Sequence, residues 1–167
     1  MKVVGEILEQ LAVGDGDGQK ADLLGRSAFN RYYYAAFLIT RETLGKMQSN
    51  WKGTAHAEIP NLLQNGLRKP VKKAIIKQQK LGLVDEGDKS RILTSVNVTG
   101  NELAELLKEA YNLRIIADYE PEIRTSKNGN VISLKNYKLT SAINWPDRAN
   151  QLCSKLLKIW RELGLAY

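Results

Sequence analysis

From Arg26 to Leu44 the apolar residues return every three or four positions. That spacing selects an α-helix at 3.6 residues per turn, because a strand would need strict alternation. On a helical wheel Ala28, Phe29, Tyr32, Ala35, Ala36 and Ile39 fall within one half, which has to meet a core. Arg26, Asn30, Tyr34 and Arg41 gather on the opposite side, with Arg31 just beyond. The three consecutive tyrosines therefore part company: Tyr32 points inward, Tyr33 sits at the boundary, and Tyr34 joins the polar edge. Ala35 and Ala36 leave room for a second helix to approach. The polar edge reads either as a nucleotide-facing or inter-helix polar network or as solvated surface.

The same period runs through most of the chain. A first helix is expected over Lys2–Val13, with Val4, Ile7, Leu8 and Leu11 on one face. The run "GDGDG" at Gly14–Gly18 breaks it. No Gly-Lys-Ser/Thr follows and the calcium-loop pattern is incomplete, so this is a flexible turn. A second helix spans Lys20 to Met47, and a short third one Ala55 to Leu67. Pro70 suits the first turn of a helix reaching Leu81, and "DEGDKSR" is a charged turn. Thr99 with Glu102 three residues on forms a capping-box pattern, which starts a helix over Gly100–Tyr119 that Pro121 ends. Asn128-Gly129 between two β-prone pieces predicts a hairpin insertion over about 122–137. A last helix begins near Trp145, its stripe formed by Ala149, Leu152, Leu156, Trp160 and Leu163. The expectation is an all-α fold of five or six helices with one small β-hairpin, built as a single domain over 1–167.

Composition excludes several classes of function. No apolar run approaches the ~20 residues that span a bilayer, and no signal-peptide pattern opens the chain, so the expectation is a cytoplasmic protein without membrane contact. One histidine, His56, and one cysteine, Cys153, rule out an internal disulfide and argue against a metal site. Cys153 lies among leucines and reads as a buried thiol. The net charge of +7 points to an acidic partner, of which nucleic acid is the commonest. The run "RKPVKKAIIKQQK", Arg68–Lys80, carries six basic residues and no acidic one, with Lys73, Lys77 and Lys80 on one helical face. It is either a solvated face or a surface for phosphate backbone, and Arg124 and Lys127 on the hairpin add to it.

The helix "YNLRIIADYEP", Tyr111–Pro121, has a core stripe of Leu103, Leu106, Ala110, Leu113 and Ala117. Arg114 and Asp118 stand one turn apart at its margin. Arg before Asp is the weaker order for an isolated helix, so the pair serves tertiary structure or function.

Together, Arg26, Ser27, Ala28, Arg31, Tyr33, Tyr34, Ala35, Ala36 and Phe37, then His56, then Arg114, Ala117, Asp118 and Tyr119 resemble the HEPN family, especially its small bacterial and archaeal branch. The likeness covers about Gly25–Pro121. It implies a HEPN-like four-helix-bundle core with additional short helices, frequent homodimers, and RNA or nucleotide binding in toxin–antitoxin or antiviral defence systems. It also implies partners such as a nucleotidyltransferase-type antitoxin, and no cofactor. Active members carry Arg, four to six residues, then His, where the imidazole works on the ribose 2′-hydroxyl and the arginine steadies phosphate. Here Asp118 and Tyr119 stand where that histidine would be. Ordinary pKa values near 4 and 10 suit neither residue to acid–base work at neutral pH. Two alternatives follow. One is a metal-independent ribonuclease with a non-standard site of Arg114, Asp118 and Tyr119 with His56 or Arg31. The other is a non-catalytic interaction or dimerisation module in which Arg114–Asp118 is a structural ion pair and His56 a backbone-bonded helix-start residue. Arg26, Asn30, Arg31, Tyr34, Lys73, Lys77 and Lys80 are the candidate contacts to RNA or nucleotide.

Overall fold

The computed structural model describes residues 1–165. Helix predominates: α1 (Lys2–Gly14), α2 (Gly18–Met47), α3 (Ile59–Asn61), α4 (Arg68–Lys80), α5 (Glu86–Tyr119), α6 (Leu139–Ala142) and α7 (Trp145–Glu162). A 3-10 turn, Ser49–Trp51, follows α2, and a π-helical turn, Leu62–Gly66, follows α3. A three-stranded antiparallel meander, β1 (Thr125–Asn128), β2 (Val131–Leu134) and β3 (Tyr137–Lys138), lies between α5 and α6. Among the described residues no helix is long and apolar enough to cross a membrane.

The chain divides into two compact units, residues 1–38 with 107–148 and residues 39–106 with 149–167. The first takes α1, the start of α2, the end of α5, the meander and α6. Its core gathers Phe29, Tyr32, Tyr33, Leu113, Ile132 and Trp145, with Phe29 and Trp145 rings 6.3 Å apart. Asp22 Oδ1 accepts from both the backbone N–H and the hydroxyl of Thr125, at 2.6 and 2.9 Å, which ties β1 to α2. The second unit contains the end of α2, α3, α4, the start of α5 and most of α7. Its core includes Leu44, Leu67, Ile75, Leu103, Leu156 and Trp160, and the Trp160 indole N–H donates to the Met47 carbonyl at 2.9 Å. Cys153 is buried there, and burial pushes its thiol pKa up while Thr43 and Thr40 oppose the shift.

Several local expectations change. The "GDGDG" run is an ordered cap. Asp17 Oδ1 accepts from the backbone N–H of Gln19 at 2.9 Å, and Asp15 Oδ1 accepts from that of Asp17 at 2.9 Å. Helix α2 consequently starts at Gly18. Helix α3 begins at Ile59, leaving Ala55–Glu58 in turns.

The largest correction concerns α5. It is one helix of 34 residues from Glu86, and Thr99 and Gly100 lie buried in its interior. Its cap is Asp85, whose Oδ1 accepts from the Asp88 N–H at 2.7 Å, so "DEGDKSR" opens the helix. Gly100 is there for space: a Cβ on it would stand 2.5 Å from the Leu63 carbonyl oxygen. The π-helical turn rests on α5 at that point.

The apolar stripe of the first helix is only partly covered, with Leu8 half-buried. Its buried residues are Gly5 and Ala12, while Val4, Ile7 and Leu11 are exposed. The reason is Tyr32, whose ring fills the place of a side chain at position 5: a Cβ on Gly5 would lie 2.6 Å from it. Finally, the hairpin carries a third strand. Its first turn centres on Gly129-Asn130, one residue later than expected, with Gly129 at φ +57°. Lys135 at φ +52° makes the second turn.

Candidate nucleic-acid interface

Two groups of the proposed residues are set out by the fold, one in each unit. In the first unit the end of α5 meets the middle of α2. The Arg114 guanidinium lies 5.1 Å from the Tyr119 ring centre and 5.9 Å from that of Tyr34, within cation–π range of both. Its Nη2 donates to the Tyr34 hydroxyl at 3.5 Å. Nε stands 2.9 Å from Asp118 Oδ2, yet the N–H is not aimed at that oxygen, so the contact is ionic without being a directed hydrogen bond. Asn30 Nδ2 donates to Asp118 Oδ1 at 2.6 Å. Burial pulls the Arg114 pKa down, but the Tyr119 hydroxyl and the Asp118 carboxylate outweigh it, and the net shift is upward. Arg114 is a permanent cation.

Asp118 therefore has one oxygen against Arg114 and the other on Asn30. It acts as a tether between helices. Two buried polar atoms in the same cluster, Asn30 Oδ1 and Arg114 Nε, lack hydrogen-bond partners among the described residues. Such atoms are uncommon in folded proteins, and here both belong to the residues that engage Asp118.

Tyr33 is not at a boundary but buried, 2% exposed, and its ring packs on Tyr34, Phe37 and Tyr111 with centres 5.3, 6.0 and 5.8 Å apart. Burial, ahead of the neighbouring Tyr34 and Tyr111, pushes its pKa well above the tyrosine range. Tyr119 is 64% exposed, and Arg31 sits 6.0 Å from the Tyr34 ring centre. The outer surface of the cluster is thus a tyrosine face with an arginine beside it.

Arg26 leaves this edge. It is 7% exposed, and its guanidinium donates to the carbonyls of Ile116, Glu120 and Ile123 at 3.2, 3.2 and 2.7 Å. These carbonyls belong to the last turn of α5 and the segment just after it, which a helix leaves without internal donors. Arg26 caps α5, as part of a polar network between helices.

In the second unit α4 buries Val71, Ala74 and Ile75. Arg68, Lys69, Lys72, Lys73, Lys77 and Lys80 are all exposed, and none forms an ion pair among the described residues. The expected row of Lys73, Lys77 and Lys80 is therefore a free basic face. His56 also lies in this unit, half-buried in the turn before α3. Among the described residues no three of His, Cys, Asp and Glu come together as a metal-binding group.

The sequence reading did not single out Trp51, Asn61 or Asn65, which line a cavity beside α4. The π-helical turn that builds its wall gives no local signal, because it depends on the contact at Gly100. No described protein family, curated protein or solved structure matches the chain, so the likeness to the HEPN family rests on the quoted residues alone.

Proposed function

We propose that the chain is an RNA-binding helical domain of HEPN type, serving a toxin–antitoxin or antiviral defence system, and that it binds RNA without cutting it. The observation that carries this reading is α4: six exposed cations with no ion-pair partners among the described residues, on a helix whose opposite face is buried. Unpaired cations in a row bind phosphate backbone by releasing its counterions, independently of sequence. The absence of cleavage is argued from the Arg114 cluster. Asp118 accepts from Asn30 and pairs ionically with Arg114, and Arg114 is further engaged by two tyrosine rings, so carboxylate and cation are committed to each other rather than to a ribose hydroxyl.

The test is fluorescence anisotropy with a short labelled RNA over a range of salt. Binding of the wild type is expected to fall steeply with salt, and Lys73→Ala/Lys77→Ala/Lys80→Ala to weaken it by roughly tenfold or more at low salt. The slope of log K against log salt should drop by about 2 in the same variant. A slope that the triple substitution leaves unchanged removes the α4 assignment. RNA cleavage that disappears with Arg114→Ala removes the non-catalytic one.

A second reading, a homodimerising interaction module that works with a nucleotidyltransferase-type partner, is favoured by the exposed apolar face of α1.

A further inference from the structure

The cavity beside α4 has a volume of about 540 Å³, within the usual range for small-ligand pockets. Trp51 lines it. Trp51 is half-buried and leans on Trp160, with ring centres 5.8 Å apart. Trp160 is 1% exposed and tied to the Met47 carbonyl, so it holds Trp51 from behind. The Trp51 carbonyl accepts from the Thr54 hydroxyl at 2.9 Å, which fixes the turn that presents the indole. A rigid indole bordering an open cavity is a stacking surface for a flat ring.

The facing groups are polar and spaced by four residues: Asn61, Asn65 and Lys69. Asn65 Nδ2 donates to Asn61 Oδ1 at 2.7 Å. That bond fixes both amides and leaves the Asn61 amide N–H groups as donors and Asn65 Oδ1 as an acceptor. Donor and acceptor side by side match the edge of a nucleobase. Glu58 adds an acceptor with no donor of its own, and Lys69 adds a cation that no ion pair engages among the described residues. The π-helical turn Leu62–Gly66 places Asn65 and Gly66 against the cavity, and π-turns of this kind recur where helices carry function.

We propose that this cavity is a nucleobase site. The ring stacks on Trp51, its edge bonds to Asn61 and Asn65, an exocyclic amine donates to Glu58, and the phosphate lies at Lys69. Bases with an exocyclic amine therefore bind better than uracil. The base comes either from a free nucleotide or from an RNA strand. The site deepens the RNA-binding reading, yet it uses Trp51 rather than the Lys73–Lys77–Lys80 row, so each idea can fail without the other.

The experiment follows the three tryptophan indole N–H signals by NMR while AMP, CMP, GMP or UMP is added to millimolar concentration. Trp51→Phe identifies the Trp51 signal. Saturable movement of that signal is expected with AMP, CMP and GMP, with several-fold weaker binding of UMP and none of ribose 5-phosphate. Asn65→Ala should weaken binding about tenfold, with the Trp145 and Trp160 signals unmoved as evidence of an intact fold. A hexanucleotide that binds at least tenfold more tightly than the mononucleotides marks an RNA strand as the source, and equal binding marks a free nucleotide. No saturable shift with any mononucleotide, or an equal shift with ribose 5-phosphate, overturns the proposal.

Discussion

The Tyr32 hydroxyl is buried within the first unit and donates to Glu9 Oε2 at 2.6 Å. Burial, then the hydrogen bond to Glu9, raises its pKa far above the tyrosine range, and Tyr33 is raised chiefly by burial as well. Both folded-state values exceed the unfolded value near 10. The native state therefore holds these protons when the unfolded chain has begun to lose them, and stability falls as pH rises above about 10. Below that pH the two tyrosines contribute their full stability. Urea unfolding at about pH 8, 10 and 11 should show a loss confined to the alkaline side. Tyr32→Phe should cost about 1 kcal/mol at neutral pH and flatten the alkaline slope. An unchanged slope would mean that Tyr32 is not one of the groups responsible. The inward placement of Tyr32 was legible from the helical wheel. The caps formed by Arg26 were not, because an angle on one helix says nothing about the carbonyl ends of another.

At the scale of elements, α5 shows how the same residues support two readings. Thr99-Gly100-Asn101-Glu102 fits a capping box, and glycine usually weakens a helix by 0.5–1 kcal/mol relative to alanine, roughly. Yet Ile92, Val96, Thr99 and Leu103 continue one buried stripe across that point, so the helix runs through. The actual cap, Asp85 with Asp88 three residues on, was visible within a run that looked like a charged turn. Two other ends also follow a sequence signal. Leu81-Gly82-Leu83 and Leu163-Gly164-Leu165 both close Schellman motifs, with Leu83 N–H bonded to the Gln78 carbonyl and Leu165 N–H to that of Trp160. These assignments reverse the sign that helix propensity alone would give to two alanine substitutions. Asp85→Ala, which raises intrinsic helix propensity, should destabilise by about 1 kcal/mol through loss of the cap. Gly100→Ala should destabilise by roughly 1–3 kcal/mol, since a new Cβ meets the Leu63 carbonyl. Chemical denaturation of both variants checks this. A Gly100→Ala protein more stable than wild type would show that α5 and the π-helical turn are farther apart than the structure has them.

For the whole molecule, helical period revealed a mainly helical chain with a small sheet, but it could not say which way α1 faces. The pattern Val4, Ile7, Leu11 is amphipathic in either orientation, and only the fit of Tyr32 at Gly5 decides it. The result is a helix whose Met1, Val3, Val4, Ile7 and Leu11 are 55, 65, 46, 51 and 54% exposed. Together they expose on the order of 500 Å², as much as the largest apolar patch of a typical monomer. Two copies contribute about 1,000 Å², the lower bound of a specific interface. The stripe is also suited to its own copy. An antiparallel pair centred on Ile7 sets Val3 of each chain against Leu11 of the other, and it opposes the two helix dipoles. Homodimerisation through α1 is thus the physical content of the interaction-module reading. Light scattering after size exclusion should find a dimer at micromolar concentration, with a melting temperature that rises with concentration. Ile7→Glu should give a monomer that melts at one temperature whatever its concentration, because a charge there is solvated in the single chain and desolvated in the pair. A wild type that stays monomeric, or a dimer that survives Ile7→Glu/Leu11→Glu, would leave the α1 stripe without that partner.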